Sequence, residues 1–197
     1  MNYIDIIRSK IKKNNGIITN KELVQENIPT VYLHRMMKSG ELNRVDRGVY
    51  LSASGDYDEY YFLDNRFSVP IFSFSSALYL HNMADIIPNY MDVTVYNGYN
   101  VEDLKNRANV HYVNKKIYKL GICKIKTRFG NVVSAYNKER TFCDVVKNRK
   151  NIDNELFAKT INGYMQSNKK NMRKLYSYAK EMKIENQVRE IVEVFGK

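Results

Sequence analysis

The residue types that carry bond-making chemistry are sparse in this chain and poorly spaced for it. Its three histidines, His34, His81 and His111, and its two cysteines, Cys123 and Cys143, stand far apart. None has a second Cys or His at zinc-ligand spacing. The sequence contains no Gly-x-Ser-x-Gly turn, no phosphate-cradling glycine loop and no pair of Cys-x-x-Cys motifs, the usual marks of acyl transfer, nucleotide hydrolysis and zinc binding. A metal-dependent nuclease needs clustered carboxylates. The one Glu-x-Lys, Glu181-Met182-Lys183, lies in a helical segment without an acidic partner. The expectation is a protein that is not an enzyme, with no metal and no cofactor. The cysteines read as reduced thiols, partly or fully buried, and His81 as a packing or hydrogen-bonding residue at a helix end.

What remains is recognition of a polyanion. The 197 residues carry 32 Lys/Arg against 21 Asp/Glu, a net charge of +11, and such an excess suits nucleic acid. The charge is uneven: +4 over residues 1–50, −5 over 51–110, +9 over 111–150 and +3 over 151–197. Two basic zones thus flank an acidic one. Hydrophobic residues at 44% are enough for a real core. No apolar run approaches the ~20 residues that span a bilayer, and the first five residues lack the form of a secretion signal. A cytoplasmic protein with no membrane partner is expected.

In the first basic zone the candidate binding residues sit on one helix and one hairpin. On a helix over 30–38, Tyr32, Leu33, Met36 and Met37 form one stripe and Thr30, Val31, His34, Arg35 and Lys38 the other. The second stripe offers a hydroxyl, a methyl surface, an imidazole, a guanidinium and an ammonium, the groups that read base edges and pair with phosphate in a major groove. Arg35, with its planar fork, is the best candidate to grip guanine, and Lys38 to meet phosphate. Arg44 and Arg47 on the following hairpin would reach the backbone or an adjacent minor groove. The alternative is a protein-interaction module whose basic face is merely solvated.

The elements that must hold these residues are legible as a series. Tyr3, Ile4, Ile7 and Ile11 recur at helical spacing over 2–14, and Asn14-Asn15-Gly16 ends that helix. Thr19-Asn20-Lys21-Glu22 is a capping box opening a short second helix to about 26. The third helix stops at Ser39-Gly40. Strands over 41–45 and 48–51 are joined by Asp46-Arg47-Gly48. Helix, short helix, helix and hairpin is the winged helix-turn-helix order, assigned to 1–55. A linking helix over 57–66, capped by Asp56, would fill 56–69. Beyond it, 70–197 reads as an α+β domain. Strands are expected at 71–74, 91–96, 110–113, 121–128 and 131–134, helices at 76–83 and 101–107, and a helical last third at 138–148, 153–166, 169–182 and 184–195.

The second basic zone repeats cations at every other residue. Within 122–128, Lys124, Lys126 and Arg128 would line one face of a strand, with Cys123 and Ile125 toward the core. Lys115, Lys116 and Lys119 precede this row, and Lys147, Arg149 and Lys150 follow it. Two readings stand side by side: a second nucleic-acid surface, or an edge strand guarded by charge against aggregation. Glu139-Arg140-Thr141-Phe142-Cys143-Asp144 reads as a structural junction, with Arg140 and Asp144 paired at the surface.

Several of these segments together resemble the AbiEi-type antitoxins. Gly16-Ile17-Ile18-Thr19, Glu22-Leu23, Tyr32-Leu33, Gly40-Glu41-Leu42 and Arg47-Gly48-Val49-Tyr50 are similar to their N-terminal domain. The likeness continues in Ala77-Leu78-Tyr79-Leu80-His81, Asp92-Val93-Thr94-Val95 and Glu139-Arg140-Thr141 with Cys143-Asp144. Pro29 departs from the pattern, standing where a Ser or Thr cap is expected. The resemblance implies a type IV toxin–antitoxin system of phage abortive infection. Its antitoxin represses its own operon by binding inverted repeats in promoter DNA, and counteracts a nucleotidyltransferase toxin without a stable complex. It implies DNA contacts at Thr30, Val31, His34, Arg35, Lys38, Arg44 and Arg47, and antitoxicity at Lys124, Lys126, Arg128 and the nearby lysines. Oligomeric state stays open, a monomer binding DNA cooperatively among the options. Two other classes compete: a winged-helix transcription factor with a ligand-sensing or dimerising C-terminal domain, and a nuclease targeted by a winged helix.

Overall fold

The computed structural model describes residues 2–83 and 87–195. The chain divides into two compact units, one formed by 1–68 with 126–133 and the other by 69–125 with 134–197.

The first unit begins with α1 (Tyr3–Lys13), β1 (Ile17–Thr19), α2 (Asn20–Gln25) and α3 (Val31–Lys38). β2 (Leu42–Asp46), β3 (Val49–Ser52) and α4 (Glu59–Arg66) follow. Its core forms because each helix brings one apolar stripe inward: Ile7 and Ile11 from α1, Leu23 from α2, Leu33 and Met36 from α3, closed by Ile18, Ile28 and Leu42. The capping box is complete, Thr19 Oγ1 accepting from the Glu22 amide and the Glu22 carboxylate from the Thr19 amide. Strand order is β1-β3-β2, all antiparallel, with Ile18 opposite Tyr50 and Arg44 opposite Tyr50 on the other side. β1, a segment to which the sequence pattern assigned no element, is the third strand of this small sheet. Gly48, at φ +73, supplies the left-handed turn of the wing. The unit is a winged helix-turn-helix. Its fourth helix starts at Glu59 with Asp58 as cap, two residues later than the expected Asp56. That helix does not merely link, since its Phe62 packs with Ile17 and Val49.

The second unit is mixed α/β with a helical C-terminal third, as the α+β reading expects. It contains β4 (Ile71–Phe72), α5 (Phe74–Leu80), β5 (Met91–Tyr96), β6 (Ala108–Val113), α6 (Lys115–Tyr118), β7 (Ile122–Lys126) and β8 (Val132–Tyr136). α7 (Lys138–Lys147), a 3-10 turn at Arg149–Asn151, α8 (Asn154–Met165), α9 (Met172–Glu181) and α10 (Glu185–Phe195) complete it. The sheet order is β6-β5-β4-β8-β7. β5 runs parallel to β6 in register from Met91–Ala108 to Tyr96–Val113, and β4 pairs antiparallel with β5 and parallel with β8. Of α7, residues 139–146 are all buried. Phe142, Cys143 and Val146 join Ile161 and Tyr164 of α8, Leu175 and Ala179 of α9 and Val188 of α10 in one core.

Three sequence expectations are corrected here. The helix expected at 101–107 is a run of turns, in which buried Val101 and Leu104 imitate helical spacing and the Lys105 amide reaches the Val101 carbonyl. The strand expected over 121–128 ends at Lys126, leaving Thr127 and Arg128 in the connection to β8. Arg140 and Asp144 are paired, but in the interior rather than at the surface: their side chains are 0% and 5% exposed.

Candidate nucleic-acid interface

α3 presents the predicted faces. Leu33 and Met36 are buried, Tyr32 and Met37 are half-buried, and Thr30, Val31, His34, Arg35 and Lys38 are exposed. The helix starts without a side-chain cap, for Thr30 occupies the cap position in helical geometry and its hydroxyl bonds no backbone amide. Pro29 helps instead: the Tyr32 amide reaches back to its carbonyl at 3.4 Å. The Thr30 hydroxyl is thereby left for an external acceptor or donor.

The carboxylates of this unit are directed elsewhere. Glu41 binds Arg8 through both oxygens, at 2.9 and 3.1 Å, and that hydrogen bonding holds its carboxyl below the ordinary range. Glu26 pairs with Lys10, and Glu22 is taken up by the capping box and Asn14. Asp46, the one acid on the hairpin, accepts from Arg66 at 2.6 Å and from the Arg47 amide at 2.6 Å. Among the described residues, no carboxylate forms an ion pair with Arg35, Lys38, Arg44 or Arg47. Their charge is available for phosphate, whose contacts carry most of the affinity of such interfaces. Arg44 and Arg47 are exposed on the wing, and Arg44 Nε also meets the Asp46 carbonyl at 3.3 Å.

The second basic zone is less uniform than the alternation suggested. β7 is an edge strand on which Lys124 and Lys126 are exposed and Cys123 and Ile125 half-buried. Arg128 lies past the strand, its guanidinium 4.6 Å from the centre of the Phe129 ring, so the row of three cations is a row of two. Lys124 also bonds the Ser134 hydroxyl at 2.8 Å. Lys115, Lys116 and Lys119 lie on or just after α6, an element too short to register in sequence. Lys116 is paired with Glu181 at 2.7 Å and Lys115 sits over the Tyr96 ring. Arg149 bonds Asn154 at 2.5 Å and covers Phe157. Lys119, Lys126, Lys147 and Lys150 are exposed and form no ion pair among the described residues.

Residues 5–53, from α1 through the wing, match the family model described as transcriptional regulator, AbiEi antitoxin. That stretch is therefore similar to the AbiEi antitoxin regulators. The chain as a whole is similar in fold to the RV2827C protein from Mycobacterium tuberculosis, whose crystal structure superposes with a TM-score of 0.61 at 11% identity, over 99% of this chain and 78% of that one. No curated protein matches the chain. No helix among the described residues is long and apolar enough to cross a membrane.

In the first unit one contact escaped sequence reasoning. Tyr32 was placed on the packing stripe, yet its ring lies 5.2 Å beneath the Arg35 guanidinium and 5.3 Å from the Tyr3 ring. The stack restricts the conformations open to the Arg35 side chain. The i, i+3 spacing of Tyr32 and Arg35 was the signal that could have found it. His81, by contrast, is where the sequence put it. It caps α5, with its ring Nε2 2.8 Å from the Tyr136 carbonyl, and burial lowers its basicity.

Proposed function

We propose that this protein is an antitoxin that represses its own operon. It seats α3 in the major groove of inverted repeats in promoter DNA, with the wing on the adjacent backbone, and it counteracts a nucleotidyltransferase toxin without forming a stable complex. One observation carries the DNA reading. The outward face of α3 combines Thr30, Val31, His34, Arg35 and Lys38, and the acids around it are occupied by other partners. Arg35 reads a base, Lys38 holds phosphate, and Arg44 and Arg47 fix the wing. Antitoxicity is assigned to the second basic zone, through Lys124 and Lys126 with the nearby exposed lysines, Arg128 contributing from the connection to β8.

A gel-shift series on the DNA upstream of the gene tests the first part. Arg35→Ala weakens binding by about 1–3 kcal/mol and relaxes sequence preference at one position. Lys38→Ala weakens all sequences alike and flattens the salt dependence by about one unit. Wild-type binding by both variants overturns the recognition-helix assignment. Co-expression with a neighbouring nucleotidyltransferase tests the second part. Reversing charge at Lys124, Lys126 and Arg128 abolishes rescue of growth, while rescue by that variant removes the basic row from the mechanism.

A further inference from the structure

The five-stranded sheet of the second unit ends in β7 on one side and β6 on the other, and the two edges are made differently. β7 carries exposed Lys124 and Lys126, so pairing with its own copy would set lysine near lysine. β6 reads Ala-Asn-Val-His-Tyr-Val. It has no Lys, Arg, Asp or Glu, no proline, and no bulge in its register with β5. Charge, proline and bulges are the devices that keep edge strands from pairing. β6 has none of them, and no described strand pairs with its outer side.

The backbone groups on that outer side can be assigned one by one. The Asn97 amide donates to the Val113 carbonyl, which directs the polar groups of Val113 toward β5. Alternation turns those of Asn109 and His111 the same way, and those of Ala108, Val110, Tyr112 and Asn114 outward. Two of the outward groups are used within the chain. The Ala108 amide donates to the Leu104 carbonyl, and the Asn114 carbonyl accepts from the Tyr118 amide. The amides and carbonyls of Val110 and Tyr112, the Ala108 carbonyl and the Asn114 amide have no partner among the described residues. The chain leaves open space beside them, for residues 110–114 all border a cavity of about 490 Å³.

We infer that β6 pairs antiparallel with β6 of a second copy of this chain, joining the two sheets into one, with the two-fold axis at His111. Val110 then exchanges both hydrogen bonds with the partner's Tyr112, and the Asn114 amide donates to the partner's Ala108 carbonyl. The two groups already used, the Ala108 amide and the Asn114 carbonyl, fall opposite one another, so no free donor or acceptor is stranded. A register centred on Val110 or Tyr112 would set a free group against a used one. On one face Tyr112 meets the partner's Val110, a favoured aromatic and β-branched pair. On the other His111 meets the partner's His111, each ring held at 2.8 Å by Asp92 of its own chain. An unrelated peptide would match the free groups but has no reason to match the used ones at both ends. The pairing does not rest on the DNA reading, although its two-fold symmetry is that of an inverted repeat.

Sedimentation equilibrium of the full chain without DNA tests the pairing, and the mass of two chains is expected as concentration rises to about 1 mM. Tyr112→Pro removes an amide that the described fold does not use, at an edge position that accepts proline. It should weaken association roughly tenfold or more and leave thermal unfolding in dilute solution unchanged. The register has its own test, which decides the matter even if the proline variant unfolds. Val110 and the partner's Tyr112 stand about 5.5 Å apart between Cα atoms, within reach of a disulfide. Like residues lie on a diagonal of about 7–8 Å, which is too far. Oxidation should therefore cross-link a mixture of Val110→Cys and Tyr112→Cys chains, and neither variant alone. The inference falls if the wild type stays a single chain at about 1 mM, if a folded Tyr112→Pro variant associates as tightly as wild type, or if the mixture cross-links no more than either variant alone.

Discussion

Arg140 is fully buried, and its surroundings explain why a cation is held there. Nε binds Asp144, and one terminal nitrogen donates to the carbonyls of Ile117 and Leu120, the last turn of α6 and its exit. The guanidinium carbon is 4.0 Å from the centre of the Tyr136 ring. The side chain thus serves as a C-terminal cap for a helix twenty residues earlier. Gly121 must stay a glycine beside it: φ is +81, and an added Cβ would sit 2.6 Å from Arg140 Cβ. Arg140→Met leaves a buried carboxylate unpaired and is expected to lower unfolding free energy by about 3–5 kcal/mol in urea titrations. The i, i+4 spacing of the pair was visible in sequence, but its depth was not, because spacing says nothing of which face is inside. Phe142, Cys143, Val145 and Val146 mark only one side of α7, and Arg140 and Asp144 stand on the other, so the sequence has the pattern of a surface helix although the whole of 139–146 is buried.

Two titrating residues give further tests at this scale. His81 is neutral in the folded chain because burial lowers its affinity for a proton below the ordinary value of 6.5, although the Tyr136 carbonyl pulls the other way. A lowered folded-state value means the contribution is complete above 6.5 and is lost as pH falls below it. Stability measured between about pH 7 and pH 5 should therefore drop, and His81→Gln should flatten that drop. Cys143, its thiol pushed up to about 12 by burial, should resist alkylation at neutral pH until the chain unfolds.

At the scale of elements, stripes and caps were the reliable signals. The first elements of the winged unit are fixed by short-range rules: the Thr19–Glu22 box, the glycine of the wing, and the helical spacing that set Leu33 and Met36 inside. Thr19→Ala removes one side of the box and should cost about 1 kcal/mol. Leu33→Ala empties a fully buried site and should cost about 2–5 kcal/mol, abolishing promoter binding through the fold rather than through contact. The signals failed where an element was short or its partner distant. α6 has one apolar anchor, Ile117, which no periodicity can report. Val101 and Leu104 have helical spacing but belong to turns that carry the chain into β6. The Arg35–Tyr32 stack was hidden for another reason, since a half-buried tyrosine belongs to both stripes at once.

For the whole molecule, the least legible feature is that the first unit is discontinuous in sequence. Asp58 is 1% exposed. One oxygen caps α4 at the Tyr61 amide; the other accepts from Thr127 at 2.5 Å and from Asn131 at 2.8 Å. Asn15 bonds the Phe129 carbonyl in the same segment. Residues 126–133 are therefore structural members of the unit that carries α3, although some sixty residues of another unit precede them. Nothing in local pattern reveals this, because the bonds form between polar residues that read as an ordinary turn. The consequence can be measured. A fragment ending at residue 68 has the whole predicted DNA surface but leaves a buried carboxylate short of two donors. It should unfold at lower urea than the full chain's first unit, with α4 amides exchanging first. In the intact chain, Thr127→Val with Asn131→Ala should reproduce that loss, about 1–3 kcal/mol, and Asp58→Asn on the same background should recover part of it by removing the unpaired charge. If the double substitution leaves α4 as protected as before, the segment is a passenger and the unit is complete without it.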